Sequence, residues 1–248
     1  METEKFDYLT YIAFLASDMP QEAILYRSSF SPKYVYKFYS LYKDDAIINN
    51  SKIKTLRDNK IWFCKALNQN DPYEFQGMYL DDDRLASLGI PEGIKILCSS
   101  ALKTLDENFA VASFTTRMHD NMPMWAYYAN GFQGYCVKYS VLPECLIFNV
   151  MYEPEKIPLY ELVWDAVQLA LINGNSNSTS RELQSAIAIL QEKHFIKHKS
   201  WEHEQEYRMI ERLAQSTDMG CSVSCSEIYL KAEEIFAGVR CSDIILSD

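Results

Sequence analysis

Between Lys199 and Ile210 the chain reads KSWEHEQEYRMI, gathering three glutamates, an arginine, a histidine and two aromatic residues into one span without a glycine or proline. Two conformations are open to so dense a cluster, and each dictates a different protein. In an extended chain the side chains alternate between faces, so Glu204, Glu206 and Arg208 share one face and Gln205, Tyr207 and Met209 take the other. That arrangement is a clustered acid/base face. In a helix continuing from Lys193, Glu204 and Arg208 pair at i,i+4 while Glu202 and Glu206 repel at the same spacing, leaving mostly a solvated surface. The run Tyr207, Met209, Ile210 leans toward β-structure and favours a strand from about Gln205 onward.

Other candidate strands come in short, sequence-adjacent groups. Ser31 and Pro32 make a turn that opens YVYKFYS, where Tyr34, Tyr36 and Phe38 alternate with Val35, Lys37 and Tyr39. KIWFCK (Lys60 to Lys65), FAVASFTT, GYCVKYS and LIFNVMYE read as further strands, the last two forming a hairpin across a Pro143 turn. A CSVSCSEIYL strand and EEIFAGVR give a sheet-like ending.

Helical spacing links Phe6, Leu9, Ile12, Ala13 and Ala16, and Asp18 with Pro20 caps a second short helix to about Ser28. A third helix carries Ala46, Ile47, Ile53 and Leu56 on its apolar side, and residues 81–83 look like an exposed acidic loop. Pro91 and Glu92 begin a helix bearing Ile94, Leu97, Ala101 and Leu105, and NMPMWAYYAN is a short helix closed by Gly131. Leu162, Val163, Ala166, Leu169 and Ala170 are helically spaced, NGNSNSTS is a loop of turn formers, and a helix from Arg181 to about Lys199 places Leu183, Ile187, Leu190 and His194 on one stripe.

The expected fold is therefore α+β: a single mixed domain over residues 31–248 with a central, largely antiparallel sheet and flanking helices. A helical N-terminal extension over residues 1–30 and a helical insertion at about 159–199 complete it.

Net charge of −10 opposes nonspecific binding to nucleic acid. Seven cysteines at scattered spacings, with no signal peptide, read as reduced thiols of a cytoplasmic protein and not as a disulfide framework. No apolar run approaches the roughly 20 residues that span a bilayer.

Pro72 fixes its own φ and pushes Asp71 out of the helical region, so NQNDPYEF is a turn that displays Asn70, Asp71 and Glu74. An amide and two carboxylates held this way suit a ribose, a metal or a substrate amine; the plainer alternative is an Asx turn capping the next segment. Ser113 and Thr115 share one face of their strand. Trp125 and Tyr128 follow it, and flat aromatics beside a polar pocket can stack on a base or nicotinamide, although core packing is the stronger reading of Trp125. The pairs His194/His198 and Cys221/Cys225 are four apart but lack the two-residue hooks of structural zinc, so no metal is expected. GxxxxGK[ST], GxGxxG and GxSxG are all absent.

YKFYS, IWFCKALNQNDPYEF, VASFTT, MWAYYANGFQGYCVKYS, a Val-Met-Tyr strand, WEHEQEYR and IFAGVR, in that order from about Tyr34 to Arg240, resemble the uncharacterised bacterial family known as domain of unknown function 2971. The resemblance implies a bacterial intracellular protein, some members lying near phage-defence genes, and no particular chemistry.

Three functions compete. The layout of an early strand residue, a middle strand with Ser and Thr and a late glutamate resembles ADP-ribosyltransferases, which makes NAD a substrate and gives the chemistry to Glu206 with Glu204 and Arg208. Ser113 and Tyr36 would line such a pocket and Tyr128 would stack. The early His or Arg of such enzymes is missing here, so Lys37 or Tyr36 would stand in. The second reading is a non-catalytic sensor or interaction module with a protein partner. The third is a metal-dependent nuclease using Asp71, Glu74, Glu204 and Glu206 around Mg²⁺. In the second reading Glu204 and Arg208 are a buried structural pair and the Asn70 turn is part of a recognition surface; separately, Arg208 is expected to bring Asn70, Asp71 and Glu74 beside Glu204 and Glu206.

Overall fold

Alternating aromatic and small residues make the strands of this chain, and capped polar turns separate them. In the computed structural model, residues 6–16, 20–65, 68–69, 74–90, 92–118, 121–158, 191–213 and 219–241 are described. In chain order the elements are α1 (Tyr8–Ala16), α2 (Pro20–Ser28), β1 (Tyr34–Tyr39), α3 (Ala46–Arg57), β2 (Lys60–Lys65), β3 (Met78–Tyr79), α4 (Asp82–Ser87), α5 (Glu92–Asn108) and β4 (Phe109–Thr115). There follow α6 (Met122–Tyr128), β5 (Tyr135–Val141), β6 (Phe148–Asn149), β7 (Met151–Glu153), β8 (Ile157–Pro158), β9 (Ile196–His198), β10 (Glu206–Arg212), β11 (Gly220–Ser224) and β12 (Leu230–Ala237). The α+β class is as expected. The chain forms two compact units, one from residues 1–30, 66–109 and 151–200, the other from 31–65, 110–150 and 201–248.

The second unit holds an eight-stranded sheet in the order β11-β2-β4-β1-β5-β12, with β10 pairing β4 and β6 pairing β10. Tyr36 stands opposite Thr115 on β4 and Lys138 on β5, both antiparallel. Val35 and Tyr39 of β1, Ala110, Ala112 and Phe114 of β4, and Met209 of β10 all enter the main core. By strand alternation, Tyr36, Ser113, Thr115, Glu206 and Arg208 project to the opposite face. There α6 lays Trp125 and Ala129 against Tyr36, Phe38 and Cys136. The chain reaches β5 through Gly134, where an added Cβ would lie 1.9 Å from the carbonyl oxygen of Tyr39, so no other residue fits without moving β1.

Several expectations about elements are corrected. β5 is flanked by β1 and β12, so it has no edge for a hairpin with β6, which pairs β10 instead. LIFNVMYE breaks into β6 and β7, the latter pairing β9 in the first unit. CSVSCSEIYL turns at Cys225–Ile228, with Tyr229 at φ 57°, and yields two strands. The acidic residues 81–83 are a helix start: the Asp81 carboxylate accepts from the Arg84 amide at 2.9 Å and caps α4. Ile47 is 85% exposed, whereas Asn49 on the same helix is buried with its side chain bonded to both backbone groups of Tyr42. Asp18, Pro91 and the helices expected between 159 and 190 lie outside the described residues, and so do the side chains of Ile94, Leu97, Ala101 and Leu105.

In the first unit α1 and α2 pack through Tyr11, Leu15 and Ala23. Residues expected to end a long helix at about Lys199 instead form a 3-10 turn at Glu192–Phe195 and then β9. The cause is burial of six consecutive residues, 192–197, three of them charged at neutral pH. Glu192 accepts from Arg27 at 2.5 Å and from the Tyr11 hydroxyl at 3.0 Å. Lys193 reaches Asp106 at 2.8 Å, and Lys197 reaches Glu74 at 3.5 Å. His194 and His198 accordingly occupy a 3-10 turn and a strand end, not adjacent turns of one α-helix.

Candidate functional site

Glu206 and Arg208, two apart on β10, meet on the same side of the strand. The guanidinium grips the carboxylate bidentately, Nε to Oε1 at 2.6 Å and Nη2 to Oε2 at 2.9 Å. Glu206 is 4% exposed and Arg208 1%, so the pair sits where ionic hydrogen bonds are strong and costly to break. The strand begins one residue later than expected, because Lys199–Glu204 is a 3-10 turn and Gln205 has φ 43°. Glu204 therefore does not alternate in phase with Glu206.

Glu204 is nonetheless part of the same neighbourhood. Its buried carboxylate accepts from the hydroxyl of Tyr128, which leaves α6 half-buried. Its carbonyl accepts from the Thr115 hydroxyl at 2.6 Å, and the preceding carbonyl of His203 accepts from Asn121 Nδ2 at 2.7 Å. Neither Thr115 nor Asn121 was singled out as a site residue from sequence. Thr115 was legible only as sharing the face of Ser113; Asn121 looks like a cap for α6 but makes no side-chain cap bond there.

Of the sequence-predicted residues, Tyr36, Ser113, Glu206 and Arg208 project from the same sheet face, with Tyr128 and Glu204 bonded to each other. Trp125 packs, as the stronger of its two readings has it: its Nε1 donates to the Met118 carbonyl at 3.2 Å, and its ring stands edge-on to Phe38 and parallel to Phe132. Asn70 and Asp71 lie outside the described residues. Glu74 belongs to the first unit and pairs with Lys197. Among the described residues no three His, Cys, Asp or Glu side chains group as metal ligands, the six described cysteines are free thiols, and no helix is long and apolar enough to cross a membrane.

Lys37 is the cation that sequence reasoning undervalued. Its ammonium donates to the Ser113 carbonyl at 3.1 Å and lies 5.2 Å from the centre of the Phe114 ring. Desolvation brings its pKa down to about 8, partly opposed by the Glu206 carboxylate and then by Cys64. Burial in turn pushes the Cys64 thiol up, against the pull of Lys37. A base whose folded pKa is depressed carries an electrostatic penalty in full below that value, and the penalty fades as pH rises toward the unfolded value of 10.5. Lys37→Met is therefore expected to be more stable than the parent at pH 7 by about 1 kcal/mol, after discounting for solvent screening and the lost hydrogen bond. Urea unfolding from pH 7 to 10.5 checks this; a difference that does not shrink across that range contradicts it.

No family model, curated protein or solved structure matches this chain. The chemistry is consequently read from the side chains themselves. They offer two buried carboxylates, one guanidinium, two tyrosine rings and two hydroxyls, a set that can hold a polyhydroxylated, partly aromatic ligand and stabilise positive charge developing on it.

Proposed function

We propose that this protein handles nucleotides and breaks the bond between nicotinamide and ribose in NAD, as an ADP-ribosyltransferase-like or NAD-hydrolysing enzyme. The observation that carries the reading is that Tyr36, Ser113 and Glu206 come from β1, β4 and β10, with β4 pairing both of the others, and project from one face. As the glycosidic bond breaks, its electron pair leaves with nicotinamide and the ribose C1′ becomes cationic. Glu206 supplies the opposing negative charge, and Arg208 holds that carboxylate in one orientation. Water, or the hydroxyl or amine of an acceptor, then bonds to C1′ and gives up its proton. Ser113 and Tyr36 line the pocket, and Tyr128, tethered through its hydroxyl, offers its ring to the base. The family resemblance supports a bacterial cytoplasmic setting, toxin-like or in phage defence.

Thermal unfolding with NAD and, separately, with Mg²⁺ tests the reading. NAD at about 100 times its dissociation constant is expected to add about 2.7 kcal/mol of stability, with nicotinamide appearing in solution. Stabilisation by Mg²⁺ alone would favour a nuclease, and no response to either would favour a binding module; both outcomes overturn the proposal.

A further inference from the structure

We infer that Thr115 and Asn121 are positioning residues that set the phase of the two glutamates. For its activity readout the inference rests on the NAD reading; for its structural readout it stands alone. Gln205 links the 3-10 turn to β10 at φ 43°, a conformation that residues other than glycine adopt uncommonly and keep only when their surroundings hold it. Those surroundings include two neutral donors aimed at consecutive carbonyls immediately before it, Asn121 Nδ2 on His203 and Thr115 Oγ1 on Glu204. The Thr115 hydroxyl is itself held in place, accepting from the Arg117 amide at 3.1 Å; of the two carbonyls in its reach, that of Glu204 at 2.6 Å is much nearer than that of Arg117 at 3.4 Å.

The consequence follows from strand alternation. If Gln205 relaxed to an extended conformation, β10 would begin one residue earlier and Glu204 would fall in phase with Glu206 and Arg208, leaving the placement in which its carboxylate meets Tyr128. Thr115 and Asn121 oppose that change from opposite ends of the short segment joining β4 to α6. A third attachment, Tyr128 on the Glu204 carboxylate, fixes the side chain once the backbone is in place. Thr115 is wholly buried and Asn121 nearly so, which keeps water from competing for either carbonyl.

The test compares Thr115→Val, which keeps shape and loses the donor, with Thr115→Ser, which keeps the donor. Carbon-13 NMR of the glutamate carboxyl groups is read without ligand, and nicotinamide release is read with NAD. In Thr115→Val the Glu204 and Glu206 carboxyl signals are expected to move, and kcat to fall about 100-fold with KM little changed, the scale of a small misplacement of reacting groups. Thr115→Ser is expected to restore both. Should Thr115→Val not fold, Asn121→Ala serves the same comparison from the other carbonyl. Unmoved carboxyl signals in a folded Thr115→Val protein, or a Thr115→Ser protein that restores neither readout, would overturn the inference. If the parent protein releases no nicotinamide, the NAD reading falls and the carboxyl signals alone decide this one.

Discussion

An Arg208→Ala protein is expected to lose about 3–5 kcal/mol of folding stability, because it leaves the buried Glu206 carboxylate without the guanidinium that now occupies both of its oxygens. Glu206→Gln is the informative companion. It keeps one acceptor for Arg208 but turns an amide NH₂ toward the other nitrogen, so the expected stability loss is smaller, about 1–3 kcal/mol. Its effect on nicotinamide release should be far larger, on the order of 10³, because the negative charge that opposes the ribose cation is gone. Replacing both residues with apolar ones of similar volume should restore much of the stability and none of the activity. Urea unfolding of the four proteins beside a nicotinamide assay separates the two roles. An Arg208→Ala protein within 1 kcal/mol of the parent, or a Glu206→Gln protein with full activity, would contradict them.

Arg27→Ala is expected to cost a similar amount, about 3–5 kcal/mol, for a different architectural reason. Arg27 and Glu192 are side chains from distant segments of the first unit, buried to 0% and 4% exposure. The guanidinium also lies over the rings of Phe195, at 4.3 Å, and Tyr11, at 4.7 Å. Removing it takes away ionic, cation–π and packing contacts together. The sign of the pH dependence is specific. Burial raises the Glu192 pKa and Arg27 pulls it down, so without Arg27 it rises further. A carboxyl with a raised folded pKa costs nothing below its unfolded value, and the cost grows as pH climbs to the folded value. The penalty of Arg27→Ala should accordingly shrink as pH falls through the carboxylate range. Denaturant titrations at neutral pH and near pH 4 read this directly; a penalty that grows on acidification would refute it.

Much of the sheet was legible because its signal is local. Tyr34, Tyr36 and Phe38 alternate with Val35 and Tyr39 within six residues, and the same period marks FAVASFT and YCVKYSV. What escaped was decided by partners outside any short window. Glu192, Lys193 and Lys197 fall within the helix expected to run to about Lys199, yet each is buried against a residue more than eighty positions away: Arg27, Asp106 and Glu74. Glu204 looked like the first member of a strand face until Gln205 turned left-handed. Ile47 looked apolar and inward, whereas Asn49 is the buried residue because Tyr42 supplies both its partners. The candidate site was half legible: the residue types and their strands could be named, but the clamp on the His203 and Glu204 carbonyls depends on Asn121 and Thr115, neutral residues with no charge pattern to betray them.

The interleaving of segments has a consequence during synthesis. Arg27 must wait for Glu192, 165 residues later, and Tyr39 for Tyr139, 100 residues later. At ribosomal rates of about 5–20 residues per second the N-terminal helices emerge roughly 10–30 s before the carboxylate that anchors them exists. Through that interval Phe6, Tyr11 and Tyr26 pack against neighbours in their own segment, Phe14, Leu15 and Phe30 among them, without the Arg27–Glu192 pair beside them, so the nascent chain offers an aromatic surface that a ribosome-associated chaperone can occupy and that slower translation keeps open longer.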